Sequence, residues 1–185
     1  IDLEQIANHR GSAFGFRDGG QPTQSNFENI LTLDYLNHKY KKLILEDESR
    51  TIGRAGLPGF WYQKMQSSKL VILEVNDDKR AENIYYEYVY DEINNGNSED
   101  NLLEKYLGSL INIKKRLGNV VYNNIKDLMK SAFHQNEKEI HKEWILRLLT
   151  RYYDKMYSYK LDMRKDFIVH KGEIESCRDY INAIL

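Results

Sequence analysis

The chain has 185 residues, long enough for one domain or for one domain with a helical extension. No apolar run approaches the roughly 20 residues that cross a bilayer and no signal peptide is recognisable, so we expect a soluble, cytoplasmic protein without a membrane partner. The single cysteine, Cys177, excludes an internal disulfide framework and a Cys-rich zinc site.

The net charge of −1 conceals an asymmetry between two parts of the chain. Residues 1–104 carry 11 Lys and Arg against 18 Asp and Glu, a balance of −7. Residues 105–171 carry 15 against 7, a balance of +8. Such a basic excess indicates a polyanion partner, although lysine-rich solvated helix faces produce the same count.

A glycine-rich segment lies near the start of the chain. Residues 1–4 have the pattern of the end of a strand, and residues 9–24 then contain four glycines and two arginines, Arg10 and Arg17. Glycines let backbone N–H groups approach a ligand closely, and arginine side chains suit phosphate. An ordinary mobile loop has a similar composition, so both interpretations stay open at this point.

Helices and strands alternate through the first half of the chain. A capping box predicts a helix over residues 25–38, and Pro58 suits the first turn of a short helix. Residues 69–75 read as a buried strand, followed by a helix capped by Asp77 or Asp78. This alternation predicts parallel strands joined by crossover helices.

The chain is predicted to be organised around an aliphatic run, residues 43–45, that suits a strand buried on both faces of a parallel sheet. Three carboxylates and two arginines follow it: Glu46, Asp47, Glu48, Arg50 and Arg54. Ligands of open α/β sheets bind outside the carboxyl ends of the strands, so this acidic segment is expected to face a crevice. The alternative is an acidic loop paired with its own arginines.

The later part of the chain is predicted to be mostly helical. Three amphipathic helices precede a short strand at residues 167–170 and a closing helix whose apolar stripe contains Cys177, which indicates packing for this thiol. The predicted organisation is an α/β core of residues 1–93 and 166–185 with an inserted, basic helical block of residues 94–165.

Three groups of residues, in this order and spacing, carry a resemblance to a known family. They are residues 9–15 (HRGSAFG) with 21–24 (QPTQ) and 27–29 (FEN); 45–50 (LEDESR) with 52–54 (IGR) and 57–58 (LP); and 152–157 (YYDKMY). Together they resemble the carboxy-terminal P-loop domain of tRNA 2-selenouridine synthase. The resemblance covers most of the chain and is strongest over residues 1–80.

This resemblance implies a P-loop NTPase-like fold and action on the wobble 2-thiouridine of tRNA. In that family the sulfur is first S-geranylated from geranyl diphosphate, and the geranylthio group is then replaced by selenium from selenophosphate. The sequence departs from the family pattern in two ways, since it contains neither a rhodanese-like domain nor a Gly-x-x-x-x-Gly-Lys-[Ser/Thr] loop. We therefore expect an incomplete parallel sheet without its first strand and phosphate loop, completed by a rhodanese and P-loop partner chain or by an N-terminal region.

The resemblance and the residue chemistry together predict a diphosphate site. The leaving diphosphate must be neutralised as its C–O bond breaks. The candidate binding residues are Arg10, Ser12, Gly15, Arg17, Arg50 and Arg54. Among the candidate catalytic carboxylates Glu46, Asp47 and Glu48, Asp47 is the first choice and the candidate Mg²⁺ ligand, with a salt-bridge network as the alternative. His9 is a candidate acid or base, although a histidine here more often bonds a loop backbone.

A tRNA-binding surface is predicted in the basic block, where lysines and arginines would contact the phosphate backbone and tyrosines would stack on unpaired bases. The candidates are Lys114, Lys115, Arg116, Lys126, Lys130, Arg147, Arg151, Tyr152 and Tyr153. For the tyrosines, core packing is the equal alternative. His134 and His141 lack a third ligand at metal spacing, and no tightly bound cofactor is expected.

Two other functions remain open on the sequence. One is a non-catalytic RNA-binding subunit, in which the carboxylates are only structural. The other is a small-molecule kinase or NTPase of P-loop type, which the absence of a recognisable phosphate loop disfavours.

Overall fold

The computed structural model describes residues 1–184, which divide into two compact units. The first contains residues 1–74 and 166–184, and the second contains Val75–Lys165. The α/β class is confirmed, because parallel strands and helices are both present. The predicted domain boundary at residue 94 differs from this division, since residues 75–93 belong to the helical unit.

The first unit begins with a helix rather than a strand. Helix α1 spans Leu3–Ala7, and the side chain of Asp2 accepts the Gln5 N–H at 2.7 Å at its N-terminus. The prediction of a strand end at residues 1–4 was therefore wrong. Leu3 and Ala7 stand four residues apart and are both fully buried, which is the spacing of one helix face.

Helix α2 spans Gln24–Asn37, close to the predicted range. Its cap is Thr23, which accepts the Asn26 N–H at 3.3 Å, so the predicted start of the helix was nearly correct. Phe27 and Leu31 on its inner face are fully buried.

The predicted central strand at residues 43–45 is not present. Within the described part of the chain these residues pair with no strand, and Ile44 is 47% exposed, so the segment is covered on one side only. It runs instead along the N-terminal residues, where the Ile1 amino group donates to the Ile44 carbonyl at 3.0 Å. Aliphatic composition predicted burial here, but a strand also requires a neighbour to satisfy its backbone groups.

A short hairpin and a helix complete this part of the unit. Strands β1 (Thr51–Ile52) and β2 (Ala55–Gly56) pair antiparallel, and α3 spans Gly59–Gln66 after Pro58, as predicted. The buried cluster that they share with α1 and α2 consists of Leu3, Ala7, Phe27, Leu31, Ile52, Ala55, Leu57 and Met65.

A parallel sheet of two strands forms the rest of the first unit. Strand β3 (Leu70–Leu73) pairs with β4 (Ile168–Gly172), near the predicted positions. Helix α10 (Ile174–Ile184) follows β4, and Cys177 in it is buried, with its thiol donating to the Gly172 carbonyl at 3.2 Å. Packing is thus the observed environment of Cys177. The larger P-loop-like sheet stays a prediction.

The second unit is helical. Its elements are α4 (Asp77–Tyr85), a π-helical turn (Tyr86–Tyr90), α5 (Asp91–Asn94), α6 (Glu99–Leu117), α7 (Asn119–Gln135), α8 (Lys138–Leu148), a second π-helical turn (Leu149–Tyr153) and α9 (Asp154–Met163). Asn76 rather than Asp77 or Asp78 caps α4, accepting the Lys79 N–H at 2.8 Å. Ser98 caps α6 as expected. Within residues 1–184 no helix combines the length and apolarity needed to cross a membrane.

Buried aromatic and aliphatic side chains form the centre of this unit. They include Leu102, Tyr106, Leu110, Ile125, Met129, Trp144 and Ile145. His141 is 2% exposed among them and accepts the indole N–H of Trp144 at 3.1 Å. Burial lowers the pKa of His141 to about 4, so this imidazole is neutral at pH 7.

Candidate functional site

The glycine-rich segment is an ordered, closed loop. His9 and Phe16 form an antiparallel bridge, and between them the Arg10 N–H donates to the Gly15 carbonyl at 2.8 Å. The Gly15 N–H in turn donates to the Ser12 carbonyl at 3.0 Å, and the Arg10 guanidinium donates to the Phe16 carbonyl at 3.0 Å. These bonds disfavour the interpretation as an ordinary mobile loop.

Asn8 holds the second half of this loop. Its backbone is left-handed, with φ 46°, where α1 ends. Its side-chain amide donates to the carbonyls of Asp18 and Gly20 at 2.8 and 2.9 Å. The segment that contains Arg17 is therefore fastened at both ends.

The acidic segment and the glycine loop lie against each other. A Cβ atom built on Gly11 would lie 2.7 and 2.9 Å from the two carboxylate oxygens of Glu48. Gly11 has φ +62°, a conformation that favours glycine, and it directly follows Arg10. The structure thus places the carboxylate of Glu48 next to Gly11 of the arginine-bearing loop, while the predicted crevice stays a prediction.

The three carboxylates have different environments. Glu46 is half-buried and accepts the Leu3 N–H at 2.7 Å, which satisfies a backbone donor in the first turn of α1. Burial raises the pKa of Glu46, backbone hydrogen bonds oppose that effect, and nearby Asp2 adds to it. Glu48 is half-buried against Gly11, whereas Asp47 is exposed. The observed contact of Glu46 is thus structural, with a backbone N–H, and the pairing of the acidic segment with its own arginines stays a prediction.

His9 lies where the loop meets the β1–β2 hairpin. A Cβ on Gly53 would come 2.8 Å from its ring carbon Cδ2. Its Nδ1 atom is buried and has no hydrogen-bond partner within the described residues. Burial lowers the pKa of His9, and the positive charges of Arg10 and Arg17 lower it further. The ring is therefore neutral at pH 7.

The hairpin arginines have exposed side chains but anchored backbones. The Arg50 carbonyl accepts the Leu57 N–H at 2.9 Å, and the Arg54 N–H donates to Oε1 of Gln21 at 2.7 Å. Each guanidinium group is thus accessible to an anion while its main chain is held in place.

Magnesium binding by the acidic segment stays a prediction. Among residues 1–184, no group of three His, Cys, Asp or Glu side chains is arranged to hold a metal ion. The reason is visible locally, since Glu46 faces α1 and Glu48 faces Gly11.

The predicted tRNA-binding residues of the second unit fall into three groups. Exposed cations are Lys114, Lys115, Arg116, Lys130 and Arg151. Lys126 and Arg147 are half-buried, and Arg147 pairs with Glu143 at 2.6 Å. Tyr152 is buried, its hydroxyl accepts a hydrogen bond from Arg116 at 3.1 Å, and Tyr153 packs edge-on against it. For Tyr152, base stacking is corrected to core packing.

The basic excess of the helical unit is partly neutralised within the unit. Residues 77–94 carry six acidic against two basic side chains. Their carboxylates bind later basic residues, with Glu82 at 2.8 Å from Lys138 and Asp78 at 2.7 Å from Lys142. Residues 75–165 as a whole carry 16 basic and 15 acidic side chains, so the unit that carries the exposed cations is nearly neutral.

Two glutamines with no role assigned from the sequence hold the hairpin. Gln21 donates to the Ile52 carbonyl at 2.8 Å, and Gln24 exchanges two hydrogen bonds with the backbone of Gly56 at 2.7 and 2.9 Å. On the sequence alone, the QPTQ segment contributed only to the family resemblance. Glutamine is not among the residues that typically bind backbone in turns, so the local sequence did not indicate this role.

A family model and individual relatives both match this chain, and both descriptions name tRNA 2-selenouridine synthase. The family described as tRNA 2-selenouridine synthase AAA domain matches residues 1–184. Similar proteins named tRNA 2-selenouridine synthase include that of Shewanella denitrificans, which is 38% identical over 100% of this chain and 54% of its own length. Another, from Shewanella sp. strain ANA-3, is 41% identical over 98% of this chain and 54% of its own length. A third, from Hahella chejuensis, is 37% identical over 97% of this chain and 51% of its own length. No solved structure matches.

The match is complete for this chain but partial for its relatives. The chain spans about half the length of the curated relatives that it matches. The resemblance carried by the sequence motifs is confirmed, since the family description and the relatives both cover nearly every residue. The chain belongs to the tRNA 2-selenouridine synthase AAA domain family.

Proposed function

We propose that this chain is the diphosphate-handling and tRNA-binding part of a tRNA 2-selenouridine synthase, a transferase. The substrate is the wobble 2-thiouridine of tRNA, whose sulfur is geranylated from geranyl diphosphate before selenium from selenophosphate replaces the geranylthio group. The contact between Glu48 and Gly11 carries this proposal within the family, because it joins the acidic segment to the arginine-bearing loop.

The geranyl step needs cations at the diphosphate. As the tRNA sulfur bonds to the allylic carbon, the C–O bond breaks and its electron pair leaves with the diphosphate oxygen. Arg10 and Arg17 lie in the closed loop, and Arg50 and Arg54 present exposed guanidinium groups from the hairpin region. These four arginines would neutralise the leaving group. The neutral ring of His9, set between the loop and the hairpin, would offer a hydrogen bond rather than a charge.

The carboxylates take separate roles in this proposal. Glu46 and Glu48 stabilise α1 and the glycine loop, respectively. Asp47 is the exposed carboxylate of the segment and the first choice for contact with substrate. If Mg²⁺ accompanies the diphosphate, Asp47 would be one of its ligands, with other ligands coming from the substrate, from water or from the remainder of the enzyme.

A rhodanese and P-loop partner chain or an N-terminal region would supply what these residues lack. The relatives are about twice as long as the matched segment, which supports the existence of such a region in the whole enzyme. In this proposal it contributes the phosphate loop and the chalcogen-handling cysteine. Exposed cations such as Lys115 and Lys130 hold the tRNA backbone.

The decisive experiment reconstitutes the enzyme. The chain is combined with a rhodanese and P-loop partner, 2-thiouridine tRNA and geranyl diphosphate, and the geranylated nucleoside is measured by mass. Asp47→Ala is expected to reduce its formation strongly, whereas the matched variant Asp34→Ala, which removes an exposed carboxylate from α2, is expected to leave it unchanged. Equal activity of the two variants would exclude a substrate role for Asp47.

The structural contacts of Glu46 and Glu48 favour one alternative, a non-catalytic RNA-binding subunit. In that case the chain would bind tRNA in a salt-dependent manner, and Asp47→Ala would affect neither binding nor geranylation. A P-loop-type NTPase or kinase would instead be indicated by nucleotide hydrolysis by this chain alone.

A further inference from the structure

We propose that Gln21 is a positioning residue that fixes Arg54 for diphosphate binding. This inference rests on the proposed function, because it concerns an arginine of the proposed diphosphate site. It assigns a role to a side chain that itself contacts no reacting atom. The observations that support it are the hydrogen bonds of the Gln21 amide and the conformation of Gly53.

The Gln21 side chain satisfies backbone groups on both sides of the hairpin turn. Its Nε2 donates to the Ile52 carbonyl at 2.8 Å, and its Oε1 accepts the Arg54 N–H at 2.7 Å. Nε2 also reaches the Ala7 carbonyl at the end of α1, at 3.2 Å. One amide therefore joins α1 to the turn in the way that a paired backbone would.

Gly53 allows this close approach. Its φ is +59°, and a Cβ at this position would overlap Oε1 of Gln21 and lie 2.8 Å from Cδ2 of His9. Only a residue without a side chain fits between the amide and the imidazole. The turn at Gly53 thus packs against the Gln21 amide and the His9 ring, and the backbone of Arg54 is fixed beside His9.

Fixing this backbone has a consequence for anion binding. The guanidinium of Arg54 is exposed and can adopt many rotamers. The hydrogen bond to Gln21, however, fixes the backbone position, relative to the glycine loop, from which this side chain extends. Preorganisation of this kind reduces the ordering that a ligand must impose, so its loss weakens binding without removing any charge. A side chain that only stabilised the fold would have no specific link to Arg54.

Gln24 provides a matched control. It holds the same hairpin through Gly56, with Oε1 accepting the Gly56 N–H at 2.9 Å and Nε2 donating to the Gly56 carbonyl at 2.7 Å. It makes no contact with the backbone of Arg54 in these hydrogen bonds. Replacing Gln24 with Leu removes a comparable set of bonds from the same element.

The test measures the affinity of the full chain for inorganic pyrophosphate by calorimetry. Gln21→Leu is expected to weaken binding roughly fivefold or more, and Arg54→Ala to weaken it at least as much. The double variant is expected to bind no more weakly than Arg54→Ala alone, because Gln21 acts only through Arg54. Gln24→Leu is expected to lower the melting temperature while keeping the affinity within about twofold of wild type.

The measured coupling between Gln21 and Arg54 distinguishes a positioning role from a general structural role. Additive losses in the double variant, or an equal loss in Gln24→Leu, would assign Gln21 a general structural role and overturn the inference. If the unsubstituted chain binds pyrophosphate but Gln21 and Arg54 are not coupled, only this inference fails. If the chain alone does not bind pyrophosphate, this inference fails, whereas the proposed function fails only if the reconstituted enzyme also forms no geranylated nucleoside. Should Gln21→Leu not fold, Gly53→Ala displaces the same turn and is expected to show the same coupling to Arg54.

Discussion

Glu48 and Gly11 are in direct contact, with the carboxylate oxygens 2.7 and 2.9 Å from where a Cβ of residue 11 would stand. The contact connects two segments that are far apart in the chain. It exists because Gly11 adopts φ +62° and has no side chain to exclude the carboxylate. The acidic segment is thereby held next to the loop that contains Arg10.

This contact predicts that Gly11→Ala is more damaging than a substitution at Gly20. Both glycines have positive φ, +62° and +71°, but nothing lies within 4 Å of a Cβ at Gly20. Gly20→Ala is expected to cost about 1 kcal/mol of unfolding free energy from backbone strain alone. Gly11→Ala is expected to cost up to about 1 kcal/mol more, because the carboxylate of Glu48 must move. Urea unfolding measures the free energy of unfolding of both variants. Equal losses in Gly11→Ala and Gly20→Ala would show that the Glu48 side chain moves aside without cost.

The buried His141 predicts a loss of stability in mild acid. Its pKa in the folded protein is about 4, below the ordinary value of 6.5. Between these two values the unfolded chain binds a proton that the folded chain does not, so the free energy of unfolding falls as the pH falls. The full effect is about 3 kcal/mol, present above pH 6.5 and lost by pH 4.

The check is urea unfolding from pH 7.5 to 4.5 for the wild type and His141→Gln, since glutamine can still accept the Trp144 indole hydrogen bond. The variant is expected to lose less stability over this range. His134→Gln, which removes an exposed imidazole from α7, is the control. An unchanged pH dependence in His141→Gln would show that another group is responsible.

Arg80 is predicted to contribute strongly to the helical unit. Its guanidinium binds both carboxylate oxygens of Asp154, at 2.5 and 3.3 Å, and Asp77 at 2.9 Å. Arg80→Met is expected to destabilise the protein by about 1–3 kcal/mol, because it leaves a partly buried Asp154 without this partner.

Arg178→Met is the comparison for Arg80→Met. Arg178 lies on α10 in a local, exposed pair with Glu175, so the change should stay within about 0.5 kcal/mol. Thermal and urea unfolding report both variants. Similar small losses of unfolding free energy in Arg80→Met and Arg178→Met would mean that the cost of desolvating Arg80 and Asp154 offsets the stabilisation from their pairing.

The exposed cations predict a change in the salt dependence of RNA binding. Replacing Lys115 and Lys130 with Ala is expected to weaken tRNA binding and to reduce the slope of log K against log salt by about one for each phosphate that is no longer neutralised. Arg147→Ala removes a cation that already pairs with Glu143 at 2.6 Å, and a smaller change is expected. Filter binding over a salt series measures the slope of log K against log salt for each variant. Equal slopes for the wild type and all variants would exclude Lys115 and Lys130 as phosphate contacts.

Local patterns predicted most elements of this fold correctly. Helix α6 was found because its apolar residues recur with helical spacing after Ser98, and β3 because a short apolar run lies between turn signals. The same reasoning failed at residues 43–45, where composition favoured a strand but no neighbouring strand is present in the described part of the chain. Burial can be read from composition, but pairing depends on distant residues.

The sequence alone determined the class of the chain, its family motifs and the residue types of the site, because these depend on spacing along the chain. Only the tertiary structure decided how they are used. It placed Glu48 on Gly11, assigned Glu46 to α1, buried Tyr152 and turned Gln21 toward Arg54. Each of these is a contact between residues whose proximity folding creates and whose spacing in the sequence does not reveal.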